Sequence, residues 1–166
     1  MSNNMFSPLS SKIAVDSKAV KLESVSFVGK INLRIKEEDG ESRKIVSEFL
    51  RYNLPNFSGE VQGNNETRTA WLGPNEFLIH CLDAEKFNII NKIRDILGNG
   101  FYSVTDVSDY YITIRLSGEK SIEVLSKGCP LNFKQYLNIK DSCAQSYISK
   151  ASVFIDRLAD DQIFDI

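Results

Sequence analysis

Apolar residues recur along the chain at two periods, and the switches between them mark the elements. In residues 20–36, Val20, Leu22, Val25 and Phe27 lead into Ile31, Leu33 and Ile35 at a period of two. That pattern predicts a strand pair with Gly29 near the turn. The charged run Glu37-Glu38-Asp39-Gly40-Glu41 reads as a solvated turn. Ser42 then caps a helix with Ile45, Val46, Phe49 and Leu50 on one face, ended by Pro55 and Gly59. Residues 56–67 form a polar loop around Gly63-Asn64-Asn65. A hairpin follows, in which 69–72 and 76–81 flank Gly73-Pro74-Asn75 and the proline presets the turn dihedral. Asp83 caps a second helix with Phe87, Ile90, Ile93 and Leu97 on one stripe, and Gly98 stands just past its end.

Residues 101–107 are apolar and β-branched and read as a strand, and Tyr110, Ile112, Ile114 and Leu116 alternate as another. Ser117-Gly118 turns the chain into a short helix bearing Ile122, Val124 and Leu125, closed by Gly128 and kept from continuing by Pro130. Ser142–Ile148, 153–155 and 162–166 give three more strands. Residues 1–18 are expected to be a flexible arm and 19–166 a single α+β domain. Hairpins dominate over long crossovers, so antiparallel sheets with helices fit better than a doubly wound parallel sheet. The strand-strand-helix order of 69–97 returns at 101–127, as two intermixed split β-α-β halves.

Composition narrows the function. The chain has 166 residues, 42% hydrophobic and 25% charged, enough for one conventional core. Its 20 Lys+Arg against 22 Asp+Glu leave a net charge of −2, without the basic footprint of a nucleic-acid binder. No run approaches the roughly 20 apolar residues of a membrane span. The polar, Ser/Asn-rich start has no apolar signal region, and a cytoplasmic protein is expected. Cys81, Cys129 and Cys143 are odd in number and form no CxxC, which fits reduced thiols and neither a disulfide framework nor a zinc site.

Candidate chemistry is sparse. His80 is the single histidine, and on a strand it and Cys81 point to opposite faces, so they form no dyad. Asp106 and Asp109 flank Val107-Ser108 and either hold a turn through backbone amides or act as an acid and a base. Asp160-Asp161 reads as a hairpin turn. Gly98-Asn99-Gly100 precedes a strand and is no phosphate cradle. Trp71 suits either core or interface, and Tyr110-Tyr111 would face opposite sides of a strand. The residues by themselves define no catalytic, cofactor-binding or metal site.

Several fragments in order carry a resemblance. They are Ser7-Pro8-Leu9, Trp71-Leu72-Gly73-Pro74-Asn75-Glu76-Phe77-Leu78, Asp106-Val107-Ser108-Asp109 and Ile114-Arg115-Leu116-Ser117-Gly118. Then come Val124-Leu125-Ser126-Lys127-Gly128-Cys129-Pro130-Leu131, Ser142-Cys143-Ala144-Gln145 and Ile163-Phe164-Asp165. Over nearly the whole chain the sequence resembles the gamma subunit of heterotetrameric sarcosine oxidase. The resemblance implies a fold like the folate-binding, aminomethyltransferase-like domain. It implies alpha, beta and delta subunits as partners, in a complex that oxidatively demethylates sarcosine to glycine with hydrogen peroxide and either formaldehyde or methylenetetrahydrofolate as products. FAD, FMN, NAD, zinc and tetrahydrofolate are then expected in the other subunits, and none in this chain. Trp71, Leu72, Gly73, Pro74, Glu76, Asp106, Ser108, Gly118, Gly128, Cys129 and Pro130 become packing or interface residues. The family continues past Phe-Asp-Ile with an Arg-Ser segment and an amphipathic helix. Without them an exposed apolar face would call for a partner or self-association. Two alternatives stay open: a stand-alone folate-binding or aminomethyltransferase-like module, and a homo-oligomeric small-molecule sensor.

Overall fold

A computed structural model describes residues 15–17 and 19–166. Most of the expected N-terminal arm, 1–14 with Lys18, lies outside the described residues, and Val15–Asp16 within it is a short strand, β1. The other strands are β2 (Lys21–Val25), β3 (Val28–Ile35), β4 (Val61–Gly63), β5 (Thr67–Gly73), β6 (Glu76–Leu82), β7 (Tyr102–Asp106), β8 (Thr113–Ser117), β9 (Ser142–Ile148), β10 (Ala151–Ala159) and β11 (Ile163–Asp165). The helices are α1 (Gly40–Leu50), α2 (Lys86–Leu97), α3 (Ser121–Ser126) and α4 (Phe133–Tyr136).

These build two antiparallel sheets. The first has the order β4-β5-β6-β3-β7 and the second β1-β2-β8-β11-β10-β9. Within the first, β3-α1-β5-β6-α2-β7 is a split βαβ arrangement of the ferredoxin type, with β4 added at one edge. Period two sends Ile31, Leu33, Ile35, Phe77 and Ile79 to the face covered by both helices, where they pack with Val46, Leu50, Ile90 and Ile93. The second sheet buries Leu116, Ile155 and Phe164 against Leu125, Phe133 and Leu137 of the α3–α4 region. A third cluster of Val61, Ala70 and Cys143, with Phe154 against it, stitches the sheets together. Across this seam Glu60 bridges Ser142.

The α+β expectation, with antiparallel sheets and helices, holds. The pairing of residues 20–36 does not. β2 joins β8 in the second sheet and β3 lies between β6 and β7 in the first, so consecutive strands part at Ser26-Phe27 rather than fold into a hairpin. Gly29 is inside β3, where an added Cβ would lie 2.8 Å from the Cys81 Sγ. The echo of 69–97 in 101–127 fails for the same reason, because β7 and β8 belong to different sheets.

Local chemistry explains the shifted boundaries. The cap of α1 is Asp39, whose Oδ1 accepts the Ser42 N–H at 3.0 Å, and the helix ends at Arg51 in the left-handed region. Asp83 begins a 3₁₀ turn ahead of α2, and Ile89 replaces Phe87 on the buried stripe, leaving Phe87 exposed. The polar loop 56–67 contains β4, α4 is unanticipated, and β10 extends well beyond 153–155. Residues 108–110 form a 3₁₀ turn, so β8 starts only at Thr113.

Gly118 sits at φ +114°, and an added Cβ would fall 2.6 Å from the Ala19 carbonyl oxygen. Gly118→Ala is expected to cost about 1–3 kcal/mol through forced φ and this clash, read as a lower urea midpoint.

Candidate functional site

The two sheets face each other across the surface that β3, β5 and β6 turn away from their helices. Arg68 of β5 crosses this gap. Its Nε donates to Asp156 Oδ2 at 3.1 Å, Nη2 to Asp156 Oδ1 at 2.8 Å, and Nη1 to Asp141 Oδ1 at 2.7 Å. Asp156, on β10, is 1% exposed. Burial pushes its carboxyl up, and the Arg68 fork pulls against that rise. Beside this pair the His80 ring meets Phe154 edge to face, with centroids 5.9 Å apart. Burial, then the charges of Lys30 and Arg68, depress the His80 imidazole to about 4. Cys81 points to the opposite face, into the helix-covered core, so no His-Cys dyad forms.

A second cluster closes the corner between β3 and β7. The Asp106 carboxylate accepts the Ser108 N–H at 2.9 Å and the Ser108 hydroxyl, and the Ser108 Oγ accepts the Lys30 N–H at 2.9 Å. Lys86 Nζ lies 2.7 Å from Asp83 Oδ1 and 3.5 Å from Asp106 Oδ2. Against the upward push of burial, the Ser108 hydrogen bonds and Lys86 hold the Asp106 carboxyl low. Asp109 is exposed, and Asp106 is committed to the turn, which is the turn-holding alternative of the sequence reading. Lys30 is buried, with its Nζ donating to the carbonyls of Tyr111 at 3.1 Å and Val28 at 3.5 Å. Arg68, Lys86 and Lys30 escape sequence reasoning because each is an isolated cation in an alternating strand or at a helix start. Only the fold reveals their carboxylate or carbonyl partners.

The motif residues spread over several places. Trp71 is half-buried against the first core, and its N–H donates to the Glu60 carbonyl at 3.1 Å. The Leu72 carbonyl accepts Gln145 Nε2 at 3.1 Å, tying the hairpin to β9. Gly73 ends β5, and the exposed Pro74 offers its carbonyl to Arg43 at 3.1 Å. Glu76 Oε1 accepts Asn32 at 2.7 Å and Arg34 at 2.9 Å. Cys129 is buried in the second core, between exposed Gly128 and Pro130, and the Gly128 carbonyl accepts the Ser149 N–H at 2.8 Å. The Tyr110 and Tyr111 rings do not take opposite sides of a strand. They lie against each other at 4.7 Å in and after the 3₁₀ turn, both exposed.

Between the sheets and α3 lies a cavity of about 530 Å³, walled largely by apolar side chains such as Leu78, Ile114, Leu116, Val153 and Phe154, with His80 and Lys30 among its polar groups. Cys81 and Cys143 lie outside its lining. Burial raises the Cys81 thiol to about 11 and the Cys143 thiol to about 12, so neither is a thiolate near neutrality. Among the described residues no group of three or more His, Cys, Asp or Glu side chains is arranged to hold a metal ion. No described helix is long and apolar enough to cross a membrane.

Two facing antiparallel sheets, each with helices on its outer side, place this chain in the aminomethyltransferase-like fold class. It resembles the glycine cleavage system aminomethyltransferase T from Bartonella henselae with a TM-score of 0.63 at 13% identity, over 87% of this chain and 40% of that one. A heterotetrameric sarcosine oxidase from Corynebacterium sp. U-96, solved with pyrrole 2-carboxylate, has a chain of the same fold. The TM-score is 0.81 at 24% identity, over 92% of this chain and 77% of that one. A model of the sarcosine oxidase, gamma subunit family (SoxG) matches residues 39–163, and the chain belongs to that family. A comparison with curated proteins gives no match.

Two outcomes follow from the electrostatics. Arg68→Ala leaves the Asp156 carboxyl buried without its cation and is expected to cost about 3–5 kcal/mol at neutral pH by urea unfolding. Adding Asp156→Asn should recover most of that loss. His80, depressed from 6.5 to about 4, binds fewer protons folded than unfolded between those values. Stability therefore rises with pH from about 4 to 6.5 and is lost as pH falls through that window. His80→Gln should flatten this limb in urea midpoints measured at each pH.

Proposed function

We propose that this chain is a small assembly subunit, without catalytic duty of its own, in a heterotetrameric sarcosine oxidase that works in the cytoplasm. The observation that carries the reading is the gamma subunit family match across residues 39–163. The chemistry of the described residues supports it. The best-placed ionisable groups, Arg68 with Asp156 and Lys86 with Asp83 and Asp106, are tied to one another as structural pairs. The one imidazole is too acidic to serve as a strong base near neutrality, and two of the thiols are held protonated.

On this reading alpha, beta and delta subunits are the partners. The complex demethylates sarcosine oxidatively to glycine, with hydrogen peroxide and formaldehyde or methylenetetrahydrofolate as products. FAD, FMN, NAD, zinc and tetrahydrofolate reside in those other subunits. The hairpin through Trp71, Leu72, Gly73, Pro74 and Glu76, and the segment from Gly128 to Pro130, serve packing or subunit contact.

A tagged copy expressed with the other subunits is expected to retain all three through size-exclusion chromatography. The isolated chain should carry no flavin absorbance. Trp71→Ala should weaken retention or lower the melting temperature, and a variant unchanged in both would remove Trp71 from this role. Recovery of the tagged chain alone would overturn the subunit reading.

A further inference from the structure

Arg43 fastens three segments of the chain together. From α1 its Nη1 donates to the Pro74 carbonyl at the hairpin tip at 3.1 Å. Its Nη2 donates to the Pro55 carbonyl at 3.3 Å and to Asn56 Oδ1 at 3.2 Å. The guanidinium lies over the Phe77 ring, 5.0 Å from the centroid. These hydrogen-bond partners are all neutral oxygens. Neither Arg43 nor the exposed Arg51 has a carboxylate within ion-pair distance among the described residues.

Beside this clasp runs a groove of about 660 Å³. One wall is a single face of α1, because Gly40, Arg43, Lys44, Ser47, Glu48 and Arg51 recur every three or four residues. That face is turned away from the buried Val46 and Leu50. The other wall is the chain from Tyr52 to Leu54 and Asn56. Lys44 and Glu48 lie 3.9 Å apart and offset each other. Glu37 then stands against both Arg43 and Arg51, so the groove is positive on a chain of net charge −2.

The second wall leads directly to Phe57, which is 72% exposed. Its loop is fixed from several sides. Leu54 and Pro55 are buried, and the Leu54 N–H donates to Ser47 Oγ at 3.1 Å. The Asn56 and Phe57 N–H groups donate to Glu60 Oε2 at 2.7 and 3.3 Å, and the Phe57 carbonyl accepts the Glu60 N–H at 3.1 Å. An aromatic ring held in water on so ordered a loop has little backbone freedom left to lose when it enters a pocket. Anchor residues of protein interfaces are preorganised in this way.

We propose that the α1 groove and Phe57 form one docking surface for another subunit of the complex, which contributes an extended acidic segment next to an apolar pocket. The assignment rests on the subunit reading above. The eleven residues of α1 span about 16 Å, the length of about five extended residues. Carboxylates of that segment meet Arg43 and Arg51, and Phe57 fills the pocket. A second copy docked by the same surface would set positive groove against positive groove, which the sign of the charge disfavours. Arg43 is the positioning residue, since it ties the Pro74 tip and the Phe57 loop to the helix that forms the groove.

Titration of the chain into the other subunits, purified together without it, tests this. Phe57→Ala and Arg51→Glu are each expected to weaken the Kd about tenfold or more. Both side chains are exposed, so the melting temperature of the isolated chain should stay within about 2 °C. Arg51→Glu should also flatten the fall of affinity with rising salt. A native chain that does not bind the other subunits overturns the subunit reading, and this surface with it. A native chain that binds, matched within about twofold by either variant, overturns the docking surface alone. So does a native chain that dimerises by itself in sedimentation equilibrium while Phe57→Ala stays monomeric, because the occupant is then a second copy.

Discussion

A carboxylate as buried as Asp156 is tolerable only beside a cation that also satisfies its lone pairs, and Arg68 meets both demands with a two-pronged contact from the other sheet. That requirement sets the spacing of the two layers. Because Nη1 of the same guanidinium reaches Asp141, the contact also fixes where the chain enters β9. The Glu60–Ser142 bridge, the Gln145 bond to the Leu72 carbonyl and the cluster of Val61, Ala70, Cys143 and Phe154 lie along the same seam. A fork binding two carboxylates has directional demands that apolar packing lacks, so it selects one mutual orientation of sheets that hydrophobic burial alone would leave free to slide.

The charged groups inside the molecule are thereby committed to architecture. Lys86 joins the start of α2 to the end of β7 through Asp83 and Asp106, and Ser108 passes the connection on to β3. His80 lies between the cations Lys30 and Arg68 and stays neutral, which lets it pack on Phe154 as an aromatic ring.

Local signals read correctly where one segment answers to its own neighbours. The Gly73-Pro74-Asn75 hairpin, the strand Ser142–Ile148, the buried stripe of Ile90, Ile93 and Leu97, and the Asp106-Ser108 turn are all such cases. The errors are of another kind. A period of two in 20–36 identifies two strands but not their partners, and β2 and β3 went to different sheets. Asp39 displaced Ser42 as the cap because the choice depends on which side chain reaches the first free amides. Phe87 lost its place on the buried stripe to Ile89 because positions 86, 89, 90, 93 and 97 form one face at helical spacing and Phe87 lies off it.

The α+β class, most strands, the two main helices and, through the ordered fragments from Trp71 to Asp165, the family resemblance were all legible in the amino-acid order alone. Periodicity, caps and turn chemistry act over a few residues and are written locally. That Arg68 meets Asp156, 88 positions away, that β2 and β3 part, and that β11 lies between β8 and β10 emerge only in the folded chain. Partners so distant along the chain are chosen by the combined burial and hydrogen bonding of whole sheets, and no short stretch of sequence carries that choice.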